Sequence, residues 1–332
     1  VVRFLQFLVK RTPEFRGECG SGQPEVWDMK FPVRIAEGLY VLGNRHFMTY
    51  LVAGEECALI ELGVSATAPA VARQLADLGI EPARIRYLVV PHAHYDHLGG
   101  IPYFLGSYPR ARVVASPHAA EILSRPRVLE QFFREDAFTG EWLERHGTGR
   151  RAFSWLPGAV LRVDNVVTDG DVLELGRGCS LKFLAAPGHS PCSMAVYLSV
   201  ENVLLVSDSL GFHLEPGENF PLFFQGYRVY MDTIERLSGL GAGTVGLAHE
   251  NILRGKAARG YFALARHSAE NLYDLIVERW REGRDALIEE LFNRYYRAGL
   301  VVYSPANIRF CLGLLLRRVA EAAGLEWPEE QP

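Results

Sequence analysis

The sequence has no long hydrophobic run, no single-sign charge excess and no cysteine framework, and each absence removes a class of protein. Its opening apolar stretch, VVRFLQFLV, is far too short to cross a bilayer. No small-residue cleavage site follows it, so it is not read as a secretory signal. Formal net charge is −4 over 332 residues, which favours neither nucleic acid nor an anionic membrane as partner. The five cysteines (Cys19, Cys57, Cys179, Cys192, Cys311) are odd in number and share no CxxC spacing. They form neither a disulfide scaffold nor a zinc knuckle, and a cytoplasmic, reducing setting is expected. Low-complexity tracts, heptads and solenoid-length repeats are also missing. What remains is a soluble globular composition, 48% hydrophobic and 22% charged.

The pattern along the chain predicts a sheet-based α/β sandwich. VRIAEGLYVLG, FMTYLVAG and CALIELG, punctuated by Gly38, Gly43 and Gly54, read as an antiparallel meander. Helical spacing follows over 69–80, a buried strand over 84–90, a short helix and another strand over 111–116. A charged, aromatic-rich insertion over 117–157 is expected to hold two or three helices. Strands return through VVTDGDVLELGRGCSLKFLAAPG and MAVYLSVENVLLVSD. After His249 three amphipathic segments, poor in β-branched residues, predict C-terminal helices, with Pro305 breaking before the last. The expected organisation is an N-terminal arm (1–30), a main domain (31–252) and a C-terminal helical region (253–332) whose apolar helices could pair subunits into a homodimer. The tail EWPEEQP is expected to be disordered.

One segment dominates the chemistry. PHAHYDHLGG (91–100) follows the apolar run Leu88, Val89, Val90, so it leaves the end of a buried strand. His92, His94, Asp96 and His97 fall within six residues. Extended backbone sets His92 and His94 on one side, and a turn near Asp96 would aim Asp96 and His97 beside them. Imidazole with carboxylate suits zinc, iron or manganese. Three further candidates end strand-like runs: His189 in AAPGHSPCS, Asp208 in VLLVSD and His249 in TVGLAHE. Gly188 would let the backbone approach closely beside His189.

HAHYDH, PGHS, VSD and LAHE, in this order over about 33–250, resemble the motifs of the metallo-β-lactamase superfamily. The resemblance implies a four-layered αββα fold, one metal on His92, His94 and His189, a second on Asp96, His97 and His249, and Asp208 bridging. It implies a hydrolase using a metal-bridging hydroxide, with Asp96 orienting the nucleophile and carrying a proton to the leaving group. Glu61 stands where the superfamily usually has Asp, and is expected to support the ligand loop by hydrogen bonding. Flavodiiron proteins share the fold, but their motif typically has Glu where this chain has His94. Ser190 and Cys192 read as loop structure, and His46, His118, His146 and His267 as structural or surface residues.

EGLYVLG, LIELGVS, HAHYDHLGGIPY and HENILRGKAARGYF, followed by C-terminal helices, look like the quinolone signal response thioesterases. Hydroxyacylglutathione hydrolases likewise place a helical piece over such a metal centre. Both point to a small-molecule thioester, acyl-CoA or related. A lactone, β-lactam or phosphodiester is the alternative, and a regulatory protein with residual hydrolase activity a second one. Arg254, Lys256, Arg259 and Arg266 are candidates for holding coenzyme A phosphates. The aromatic loop expected over 218–230 offers Phe223, Phe224 and Tyr227 for an apolar acyl pocket, with His213 and with Phe132 and Phe133 of the insertion.

Overall fold

A computed structural model describes residues 30–151, 158 and 160–327. The arm over 1–30 lies, but for its last residue, outside the described residues, as do Cys19, residues 152–157 of the insertion and the last five residues of the tail.

Two sheets pack face to face. The first runs β1 (Val33–Ala36), β2 (Leu39–Gly43), β3 (Met48–Ala53), β4 (Cys57–Ile60), β5 (Ile85–Val90), β6 (Arg112–Ala115) and β7 (Asn165–Val166), neighbours in that order. The meander β1 to β4 is antiparallel, as its short glycine-punctuated runs require, and β4 to β7 are parallel. The second contains β8 (Val172–Gly176), β9 (Cys179–Ala185), β10 (Met194–Leu198), β11 (Val203–Ser207), β14 (Thr244–Leu247) and β15 (Ile252–Arg254), with β11 and β14 parallel. A hairpin, β12 (Phe212–Glu215) and β13 (Glu218–Phe220), stands apart from both sheets.

Side-chain alternation builds the layers. Val89 of β5 points inward with Tyr50, Ile60 and Val114 to meet Phe183, Val196, Val203 and Leu205 of the second sheet. Its neighbours Leu88 and Val90 point outward to α1 (Ala68–Asp77), α2 (Ile101–Ser107), α3 (Pro117–Leu123) and the start of α4 (Pro126–Arg145). Likewise Leu204 and Val206 of β11 face away from the sandwich, toward α5 (Tyr227–Ser238), α6 (Gly255–Glu278), α7 (Arg284–Tyr295) and α8 (Pro305–Ala323). Helix, sheet, sheet, helix is the expected αββα order. The C-terminal helices share one apolar cluster with the outer face of the second sheet, through Ala265, Leu272, Leu312 and Leu316 among others.

Among its described residues the insertion supplies two helices, α3 and α4. Residues 218–230, read from sequence as one loop, contain β13 and the first turn of α5. Among the described residues no helix is long and apolar enough to cross a membrane.

Candidate metal centre

All seven candidate ligands gather at one edge of the sandwich, each delivered by a strand end or the loop beyond it. β5 feeds His92 and His94 and then a 3-10 turn over Tyr95–His97, the β9–β10 loop carries His189, Asp208 follows β11, and His249 follows β14. The two sheets are joined there by the Met194 N–H, which donates to the Pro91 carbonyl at 2.9 Å. Gly188, at φ +124°, lies so close to α5 that a Cβ would meet the Tyr230 Cα at 2.4 Å. No other residue fits, and that contact seats His189.

The ligand atoms form two clusters: His92, His94, His189 and Asp208, and beside them Asp96, His97 and His249. In the first, His92 Nε2, His94 Nδ1 and His189 Nε2 stand 3.0 to 3.1 Å apart. Three ring nitrogens converge on one point, as ligands of a single ion do. In the second, Asp96 Oδ2 is 3.5 Å from both His97 Nε2 and His249 Nε2. Asp208 lies between the clusters, with Oδ2 3.4 Å from His189 Nε2 and 3.3 Å from His97 Nε2.

On His97, His249 and His189 the opposite ring nitrogen already donates to an acceptor, which fixes the tautomer. His97 Nδ1 donates to Glu61 Oε2 at 2.5 Å, His249 Nδ1 to the His46 carbonyl at 2.6 Å, and His189 Nδ1 to the Leu222 carbonyl at 3.0 Å. His92 Nδ1 pairs with Ser207 Oγ at 3.1 Å. On the first three rings the lone pair is thereby turned toward the cluster. His97 Nε2 and His249 Nε2 are buried and find no hydrogen-bond partner. A buried polar atom left so is costly, and a divalent cation satisfies both at once.

Electrostatics agree with the geometry. Burial first, then the neighbouring imidazoles, push His92 well below the ordinary histidine value, and His94 falls to about 3. Burial alone would depress His97 too, but Asp96, Asp208 and Glu61 outweigh it and hold it high. Burial disfavours the Asp208 carboxylate, yet His97 and His249 keep it well below the usual range. The carboxylates that draw protons onto those two rings would equally draw a cation between them.

Backbone strain marks the same place. Glu61, Ser207 and Glu250 are non-glycine residues in left-handed conformation (φ +64°, +51° and +62°), each touching or adjoining a ligand. Such strain persists only where the surroundings impose it. Glu250 is buried, and its Oε1 binds His46 Nδ1 at 2.5 Å, beneath the carbonyl that orients His249. The structural reading of His46 thus gains a specific task, whereas Glu250 was not singled out in the sequence.

Above the ligands opens a cleft of about 400 Å³, walled by α4, the β12–β13 hairpin, residues 222–224 and α8. Phe224 and Phe132 line it as expected. Phe223 does not. Adjacent residues in extended chain face opposite ways, and Phe223 is fully buried against Tyr227 and Tyr230. Tyr227 stacks on Tyr273 of α6 and His213 packs by Tyr261 with its Nε2 on Asn251, so both also leave the pocket. Phe133 joins the core under the first sheet. Sequence reasoning missed Phe212, Phe220, Tyr303 and the α8 residues Phe310 and Cys311.

None of Arg254, Lys256, Arg259 and Arg266 lines the cleft. Arg254 donates to the Ile35 carbonyl at 2.9 Å and Arg266 pairs with Glu270 at 3.0 Å, so any coenzyme A phosphates these four hold would lie outside the cleft. Ser190 Oγ and Cys192 Sγ bond each other and the loop, and the Ala93 N–H donates to Cys192, as structural residues do.

The sequence model described as "Metallo-beta-lactamase superfamily" matches residues 43–249. The chain is 29% identical to "Diflavin flavoprotein A 1" of Synechocystis sp. over 168 residues, half of this chain but 24% of that protein. It is 31% identical to "N-acyl homoserine lactonase AttM" of Azorhizobium caulinodans over 118 residues, 36% of this chain and 37% of the lactonase. Among solved structures, a metallo-beta-lactamase family protein from Thermus thermophilus superposes with a TM-score of 0.57 at 23% identity, covering 88% of this chain and 95% of that one.

Proposed function

The chain belongs to the metallo-beta-lactamase superfamily, and from that premise we propose that it is a metal-dependent hydrolase of a neutral carboxylic ester with an apolar acyl group, a thioester first. The observation carrying this reading is the seven-residue candidate ligand cluster at the floor of an apolar cleft, with two buried imidazole nitrogens that make no hydrogen bond.

A pair of divalent cations, zinc, iron or manganese, would supply Lewis acidity toward the substrate carbonyl and lower the pKa of water. The side chains define the rest. Phe212, Phe220, Leu222 and Phe224 with Phe310 and Leu314 exclude water from the acyl group. Asp96 lies at the boundary of ligand cluster and cleft, where its carboxylate can take a proton from the attacking water and pass it to the leaving group. Among the described residues no Lys or Arg lines the cleft, and Glu135 is its one carboxylate beyond the ligands. That charge pattern disfavours phosphodiesters and the carboxylate of a β-lactam, which need a cationic anchor.

A lactone is the second reading, favoured by the lactonase relative and by the same neutral cleft. Metal-replete protein assayed on acyl thioesters of graded length, N-acyl lactones, β-lactams and phosphodiesters separates these. Thioester turnover should vanish with chelator and return with metal. Oxygen consumption with a reduced flavin donor, and no turnover on any ester, would replace the hydrolase by the redox chemistry that the flavoprotein relatives suggest.

A further inference from the structure

We propose that Tyr303, contributed from beyond the family-matched segment, is a positioning residue of the metal centre that fixes Asp96 and makes the C-terminal region part of the site. The inference rests on the assignment of the two clusters as metal sites, not on the identity of the ester.

The Tyr303 hydroxyl donates to Asp96 Oδ2 at 2.9 Å. Oδ2 is the oxygen that lies 3.5 Å from the His97 and His249 Nε2 atoms, so the phenol binds the oxygen turned toward the second cluster. A carboxylate on a short side chain rotates readily about its last bond, and a buried donor on one oxygen removes that freedom.

Tyr303 is itself immobilised. Its ring meets Phe47, Tyr95, Phe212 and His249 edge-on, with centroids 6.1 to 6.4 Å away. Its carbonyl accepts from the Tyr296 hydroxyl at 3.0 Å, and the preceding Val302 carbonyl accepts from Thr139 at 3.2 Å. The next residue, Ser304, caps α8 by accepting from the Asn307 N–H at 3.1 Å and donates to Glu135 at 2.9 Å. A few residues upstream, Gly299 is pressed on Glu250, where a Cβ would stand 2.4 Å from Oε1. One short stretch, 299–303, therefore braces Asp96 directly and His249 through Glu250 and His46.

Tyr303→Phe keeps the ring packing and deletes the donor. Cobalt or zinc titration should show the weaker of the two sites losing about 10- to 100-fold in affinity, the usual effect of removing a ligand's orienting partner, with the stronger site unchanged. The cobalt absorption spectrum should change with it, and on any ester the parent cleaves, kcat should fall similarly with KM within about threefold. Unchanged affinities and spectrum in a folded Tyr303→Phe protein would overturn the proposal. Should that variant not fold, 4-fluorophenylalanine at position 303 fills the volume of the hydroxyl without donating, and metal affinities and a cobalt spectrum identical to the parent's would overturn it instead. If the parent cleaves no ester while Tyr303→Phe still loses metal, the positioning role stands and the hydrolase reading falls.

Discussion

Replacing Glu61 by Gln isolates what one buried carboxylate does for the ion beside it. Glu61 Oε2 accepts the His97 Nδ1 proton at 2.5 Å, and both side chains are nearly sealed from solvent. Gln retains size and an acceptor oxygen but removes the charge that makes His97 a stronger donor to metal. Loss of such a partner weakens metal binding by about 10- to 100-fold, or about 1.4 to 2.7 kcal/mol at 1.4 kcal/mol per tenfold. At a fixed excess of metal the same energy disappears from folding stability. At about 2 °C per kcal/mol for a chain this long, the metal-loaded melting temperature should drop by roughly 3 to 5 °C beyond whatever difference the metal-free proteins show. Glu61→Asp separates reach from charge, because shortening the side chain by one C–C bond of about 1.5 Å withdraws the oxygen from hydrogen-bond range unless the loop follows. Competition with a coloured chelator gives the affinities and calorimetry the melting points. Equal metal affinity in Glu61→Gln and parent would refute the reasoning.

Asp208→Ala should release metal and reduce turnover by at least about a thousandfold, since it lies between both clusters, whereas Ser190→Ala should alter neither metal content nor kcat. Phe224→Ala should raise KM for long acyl chains with little loss of stability, and Phe223→Ala should do the reverse, costing about 3 to 5 kcal/mol in denaturant unfolding because that ring is fully buried. Burial raises the Asp136 carboxyl from 3.8 to about 6, so its protonated form favours the fold. That contribution is whole below pH 3.8 and fades as pH rises through about 6. Asp136→Asn, which can keep both bonds to Ser65, should therefore match the parent at pH 3.5 and exceed it in stability above pH 7, by urea melts with metal held constant.

The ligands were legible because metal chemistry restricts residue type and strand ends restrict position. HAHYDH after a buried strand, and His or Asp closing three later strands, leave few other arrangements. A sheet-based sandwich followed from the residue pattern and its layer order from the family resemblance; the opposite facing of Val89 and its neighbours Leu88 and Val90 shows how the strands build those layers. The cleft was less legible because four separate segments build it, and aromatic residues serve core and pocket alike. Phe223 and Phe224 differ only in which way the chain turns them. Tyr303 is an isolated tyrosine in VVYSP, and its closeness to Asp96 is a contact over 207 residues of sequence. The neighbouring Ser304–Pro305 helix start showed that the backbone is fixed there, not what the phenol reaches.

His92, His94, Asp96 and His97 ride on the first sheet, while His189, Asp208 and His249 ride on the second. Neither half alone carries all the donors of either cluster. Capture of metal must then be among the last events of folding, after the halves have closed and the chain has been made past residue 249. Metal held by these donors would act as a rivet between the layers, so that stripping it with a chelator should loosen the seam between the sheets sooner than either outer rank of helices.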